Sequence, residues 1–76
     1  MEKKHHKAFL IQFGANLKKV RESKGLTQAQ LAIDVDCDMS YISRIELGKI
    51  SASLMYLKAI ADVLEIDLKE LFEFEV

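Results

Sequence analysis

Ser40, Ser43 and Arg44 fall on one side of a short helical pattern at residues 39–46, while Ile42 and Ile45 occupy the other side. A guanidinium and two hydroxyls on an exposed helix make hydrogen bonds rather than break covalent ones, so the chemistry they offer is recognition. Arg44 has the fork that pairs with guanine O6 and N7, a pair worth about 1 to 3 kcal/mol of discrimination, and Ser40 can donate or accept. Met39, beside them, suits contact with a thymine methyl. Catalysis has little support. Ser43 has no histidine in the segment to activate it, Cys37 has no evident base, and spacing holds no two carboxylates facing a pocket. His5 and His6 are adjacent, so on a helix they point about 100° apart and chelate a metal only with outside ligands. A non-enzyme without cofactor or metal is expected.

Two short helices must position these side chains. Thr27 opens the first, because its hydroxyl can accept from the Gln30 backbone while the Gln30 side chain reaches back, a capping box. Leu31, Ala32 and Val35 make its apolar stripe, and Asp36-Cys37-Asp38 then interrupts the pattern, with Asp38 suited to cap the second helix. Cys37 fills a small gap between the two. So short a connection makes the pair cross steeply and leaves the second helix as a protruding ridge, a shape that fits a DNA major groove. Gln28, in the first turn of the first of these helices, is placed to meet a phosphate at free N–H groups and the positive end of the dipole. Lys49, just past the second, is placed to hold a neighbouring phosphate.

The flanking segments supply support. Phe9, Leu10, Phe13, Leu17 and Val20 share one helical face that Gly25 ends. Leu54, Leu57, Ile60, Ala61 and Leu64 form a further stripe, capped by Ser51 or Ser53, and Asp67 with Glu70 forms a capping box for a last helix carrying Leu68, Leu71 and Phe72. The expected fold is all-α: a compact five-helix bundle, one domain over residues 1–76, with a basic tail at 1–7. Residues 73–76 are a short strand or a frayed tail, since Phe72-Glu73-Phe74-Glu75-Val76 alternates apolar and acidic residues. Two copies pairing there would hide Phe74 and Val76, and Leu71, Phe72, Phe74 and Val76 are the expected homodimer surface. A single cysteine makes no internal disulfide, no secretory signal is intact, and the chain lacks the ~18 consecutive apolar residues of a membrane span. A soluble cytoplasmic protein with no membrane partner is expected.

Thr27-Gln28, Leu31-Ala32, Tyr41-Ile42-Ser43, Ile45-Glu46 and Gly48-Lys49, in one gap-free register, resemble the Cro/repressor-type (xenobiotic-response-element-like) helix-turn-helix regulators of phages and bacteria. Weaker similarity runs from about Phe13 to Phe72. The resemblance implies a phage-repressor type of DNA-binding domain with its helix-turn-helix at helices 2 and 3. It implies that Met39, Ser40, Ser43 and Arg44 face base edges, that Tyr41 lies near the backbone at the margin, and that Arg21 and Glu46 form a partly buried salt bridge. Asp36 and Glu65 depart from the family pattern by standing where glycine is expected at a helix end, which calls for positive φ at both.

Charge is polarised despite a net value of −1: residues 1–25 hold seven Lys/Arg against two Asp/Glu, and residues 51–76 hold two against six. Affinity for a duplex depends on cations near phosphates rather than on the total, so a mildly acidic chain can bind one. The expected function is sequence-specific binding of a double-stranded DNA operator, an inverted repeat, by a small homodimeric regulator, a repressor. The alternative is a protein-interaction module or antitoxin-like partner that keeps the fold with weak DNA affinity. Asp34, Asp36, Asp38 and Ile33, the last on a position normally polar, argue for that alternative.

Overall fold

A computed structural model describes residues 3–75. Helix α1 spans Lys3–Ser23, so residues 3–7, expected as a basic tail, are its first turns. Helix α2 (Gln28–Val35) starts at Thr27, whose hydroxyl accepts from the Gln30 N–H at 3.0 Å while the Thr27 N–H donates to Gln30 Oε1 at 2.8 Å. Helix α3 spans Met39–Glu46; Asp38 occupies the cap position without making a side-chain cap bond. Ser53 caps helix α4 (Leu54–Leu64) by accepting from the Tyr56 N–H at 3.2 Å, which decides between the two candidate serines.

The fifth element, Leu68–Phe72, is a 3-10 helix, so the expected five-helix bundle is four α-helices and one 3-10 helix. Its cap forms as expected on one side, the Asp67 N–H donating to Glu70 Oε2 at 2.8 Å. The Asn16 amide donates to the carbonyls of Glu70 (3.1 Å) and Leu71 (2.8 Å), occupying acceptors that a longer α-helix would use. Residues 73–75 form no strand. The Phe74 N–H bonds back to the Phe72 carbonyl at 3.0 Å, and this tight turn swings the Phe74 ring onto α1 rather than extending the chain.

Every element contributes to one core: Phe13 and Leu17 from α1, Leu31, Ala32 and Val35 from α2, Ile42 and Ile45 from α3, Leu57, Ile60, Ala61 and Leu64 from α4, and Leu71. These follow the stripes that the 3.6-residue period selects, except that Leu54 (68% exposed) and Phe9 (40% exposed), expected on them, lie at the surface at the margins of α4 and α1. Cys37 packs half-buried against this cluster, between α2 and α3. Asp36 and Glu65 adopt left-handed conformations (φ 62° and 58°), where the chain turns out of α2 and α4. The strain is offset locally, since the following N–H groups return to helix carbonyls: Cys37 to Ala32 at 2.9 Å and Ile66 to Ala61 at 3.0 Å.

Gly14 sits in the middle of α1, where glycine weakens a helix by about 0.5 to 1 kcal/mol relative to alanine. The reason is contact. A Cβ there would lie less than 3.0 Å from the carbonyl oxygens of both Ile45 and Glu46, so only glycine lets α1 cross directly over the end of α3.

Candidate nucleic-acid interface

Helix α3 is amphipathic: Ile42 and Ile45 lock it to the core, and Met39 (53% exposed), Ser40 and Arg44 stand in solvent. Ser43 is half-buried and therefore presents less of itself. Eight residues give a ridge about 12 Å long, comparable to the roughly 12 Å width of the B-DNA major groove. Four functional groups of the right chemistry thus share a ridge of the right size.

What holds that ridge is a buried charge network. Arg21 Nε donates to Glu46 Oε2 at 2.7 Å and Nη2 to Glu46 Oε1 at 3.0 Å, and Nη1 donates to the Leu26 carbonyl at 2.7 Å. The residues are only 6% and 7% exposed. The Glu46 hydrogen bond holds the Arg21 guanidinium above its already high ordinary pKa, against the opposing effect of burial. Arg21 therefore stays charged throughout the pH range a folded protein tolerates. The network ties α1, the turn before α2, and the last residue of α3 into one rigid frame.

Gln28 belongs to the same network, its Nε2 donating to Glu46 Oε1 at 2.9 Å. Its side chain is thereby held at the start of α2, with a second amide proton and the amide oxygen left over. Tyr41 is also more engaged than its sequence context suggested. Its hydroxyl accepts from the Ser53 N–H at 3.3 Å and its ring lies 5.0 Å from that of Tyr56, linking α3 to the start of α4. Its O–H proton remains available to an acceptor, since a hydroxyl donates once and accepts twice. Lys49 is exposed just past α3.

The expected dimer residues separate. Leu71 is fully buried within one chain and so presents no surface for a partner, which removes it from the interface; Val76 lies outside the described residues. Phe72 is 41% exposed, with its ring 5.0 Å from Phe13, and Phe74 sits 5.6 Å from Phe9 and 6.3 Å from Phe13. The tail aromatics thus continue a patch begun on α1, where Phe9 is also exposed.

Opposing charge surrounds the turn between α2 and α3, where Asp34, Asp36 and Asp38 are exposed and Ile33 is 76% exposed. Burial, reinforced by Asp38 and Asp36, pushes the Cys37 thiol above its ordinary pKa, which keeps it protonated and a poor nucleophile. Among the described residues no group of His, Cys, Asp or Glu is arranged to hold a metal ion, and no helix is long and apolar enough to cross a membrane.

Three positioning residues escaped the sequence reading. Asn16 and Tyr56 carried no pattern of their own, because their partners lie 54 residues away for Asn16 and on the preceding helix for Tyr56. Gly14 did carry a signal, being a glycine inside a helical pattern and away from any turn.

Two helices meeting at a tight turn, the first docked on α4 and the second held by α1 and exposed along a polar ridge, define a helix-turn-helix domain. The chain belongs to the helix-turn-helix family, whose profile, described as "Helix-turn-helix", matches residues 17–71. It is 46% identical over 63 residues to the control protein C.MunI of Mycoplasma sp, covering 82% of this chain and 85% of that protein. The HTH-type transcriptional regulator SlrR of Bacillus subtilis is 36% identical over 63 residues, which span 41% of its length. Among solved structures, the restriction-modification controller protein C.AhdI from Aeromonas hydrophila superposes with a TM-score of 0.85 at 39% identity, covering 88% of this chain and 97% of that one.

Proposed function

We propose that this protein is a DNA-binding transcription regulator that reads an inverted-repeat operator as a homodimer, one α3 in each of two successive major grooves. The observation that carries this reading is the exposed face of α3, Met39, Ser40 and Arg44, on a helix whose tilt the buried Arg21–Glu46–Gln28 network fixes. Arg44 supplies the bidentate contact to guanine, Ser40 and Ser43 the adaptable hydrogen bonds, and Met39 the apolar contact. Gln28, Tyr41 and Lys49 hold phosphates and set the register without reading sequence. No catalytic step is part of this function, and no cofactor is needed for it.

Among regulators of this class, similarity to C.MunI and C.AhdI along nearly their whole lengths favours a controller of a restriction-modification locus over an antitoxin or a phage repressor. Control through the protein's own concentration and through overlap of operator and promoter fits this reading, with repression the simplest outcome. The two-fold contact falls in this reading to the exposed Phe72 and Phe9, with the half-buried Phe74 beside them. Selection from randomised duplex DNA tests the reading. It should return an inverted repeat with half-sites about 34 Å apart, one helical turn; failure to enrich any sequence even at low salt overturns it in favour of a protein-interaction module.

A further inference from the structure

The region matched by the family profile starts at residue 17, yet α1 begins at Lys3, so almost four helical turns precede the region that the profile matches. These turns open with Lys3, Lys4, His5, His6 and Lys7 and carry no acidic residue in the first turn. Basic residues at a helix N-terminus oppose the macrodipole rather than complement it, so this arrangement is not one that helix stability favours. An anionic partner would reverse the sign of that effect.

The position of these turns says which partner. Gly48, in the turn after α3, approaches α1 so closely that a Cβ on it would lie less than 3.0 Å from the Ile11 backbone. Lys7 is one helical turn before Ile11, on the same face of α1. His6, Lys7, Leu10 and Ile11 from α1 consequently line one open groove of about 530 Å³ with Leu47, Gly48 and Lys49. The groove adjoins the C-terminal end of α3. Because α3 is about as long as the major groove is wide, that end lies at the groove's edge, where a phosphate ridge runs.

We infer that the N-terminal extension of α1 is a second phosphate-holding element, in which Lys7 and Lys49 grip the duplex backbone beside the base-reading face. The inference rests on the DNA-binding function proposed above and adds a contact outside the region the family profile matches. Close seating of Gly48 on Ile11 and of Gly14 under α3 makes the extension move rigidly with the reading helix, so it adds affinity and register without sequence preference. It also supplies cations that offset the aspartates at the opposite end of α3.

The test measures binding to the enriched duplex as a function of salt, from about 50 to 200 mM, for the native chain, Lys7→Gln, Lys49→Gln and the double variant. Because the bound dimer carries each lysine twice, each single variant should lower the slope of log affinity against log salt by about 1.8 and weaken binding roughly thirty- to hundredfold near 0.1 M, with the selected sequence unchanged. Helicity by circular dichroism should stay constant and the thermal midpoint should hold or rise, a split that a structural role would not produce. A double variant with native slope and affinity on the same duplex overturns the inference and leaves the groove to an acidic, apolar protein segment. If the native chain itself binds no duplex, the parent function fails and this contact with it.

Discussion

Replacing Glu46 with alanine removes three hydrogen bonds at once and leaves a guanidinium buried. In the native chain the Arg21 and Glu46 side chains are 7% and 2% exposed, and Arg21 keeps only the Leu26 carbonyl when the carboxylate is gone. Breaking a buried pair from one side costs about 3 to 5 kcal/mol, because the remaining charge is neither solvated nor compensated. A chain of 76 residues has a total stability of roughly 4 to 11 kcal/mol at about 0.05 to 0.15 kcal/mol per residue, so the loss is a large fraction of the whole. In thermal terms it corresponds to a fall of at least about 12 °C, at roughly 4 to 8 °C per kcal/mol for a domain of this size. Two further variants separate the contributions. Gln28→Ala deletes one hydrogen bond to a charged acceptor and should cost about 1.5 to 3 kcal/mol with the ion pair intact. Arg21→Met with Glu46→Leu removes both charges and should recover most of the single-variant loss, since an apolar pair of similar volume is often neutral or better. Urea unfolding of all four proteins gives the numbers. A Glu46→Ala loss below about 1 kcal/mol, the range of solvent-exposed pairs, would refute the claim that this network is a desolvated brace.

Gly14→Ala should destabilise the fold by about 1 to 3 kcal/mol or more despite alanine's better helix propensity, because the new methyl meets two carbonyl oxygens of α3; denaturant midpoints will show it, and a stabilised variant would contradict the crossing. Glu65→Gly should stabilise by up to about 1 kcal/mol, since the residue sits at φ 58° where a side chain is strained, and thermal unfolding reads the gain. Cys37 should alkylate slowly at neutral pH, with a rate that rises only above the ordinary thiol pKa, as burial and two aspartates disfavour the thiolate; rapid modification at pH 7 would contradict this. Phe72→Asp places charge on the exposed aromatic patch and should shift sedimentation from dimer to monomer while leaving helicity unchanged, whereas a dimeric variant would move the interface elsewhere.

Local rules carried most of the fold. The capping box at Thr27 and the apolar stripes each depend on residues within a few positions of one another, while the positive φ at Asp36 and Glu65 was implied by the resemblance, which expects glycine at both. What stayed hidden depends on tertiary contact. The last element is a 3-10 turn because Asn16, 54 residues earlier, occupies its carbonyls, and the tail folds back because Phe74 finds Phe9 and Phe13. Leu71 read equally well as core or interface from its helical spacing, and only the assembled chain shows it fully buried. The candidate site divides in the same way. Types and spacing sufficed to place Ser40 and Arg44 on an exposed face but put Ser43 there too, which is half-buried, and Met39 came from the resemblance; Gln28 joining the ion pair and Tyr41 bonding to Ser53 followed from how α2 and α4 dock.

The base-reading role of α3 is tested most directly by running the duplex selection with the native chain and Arg44→Ala side by side. The native chain should enrich an inverted repeat containing a guanine that Arg44→Ala no longer requires, one position in each half-site, at a cost of about 1 to 3 kcal/mol per contact. An identical motif enriched equally by both proteins would contradict the account, because the fork would then read nothing and α3 would not be the helix that lies in the groove as described.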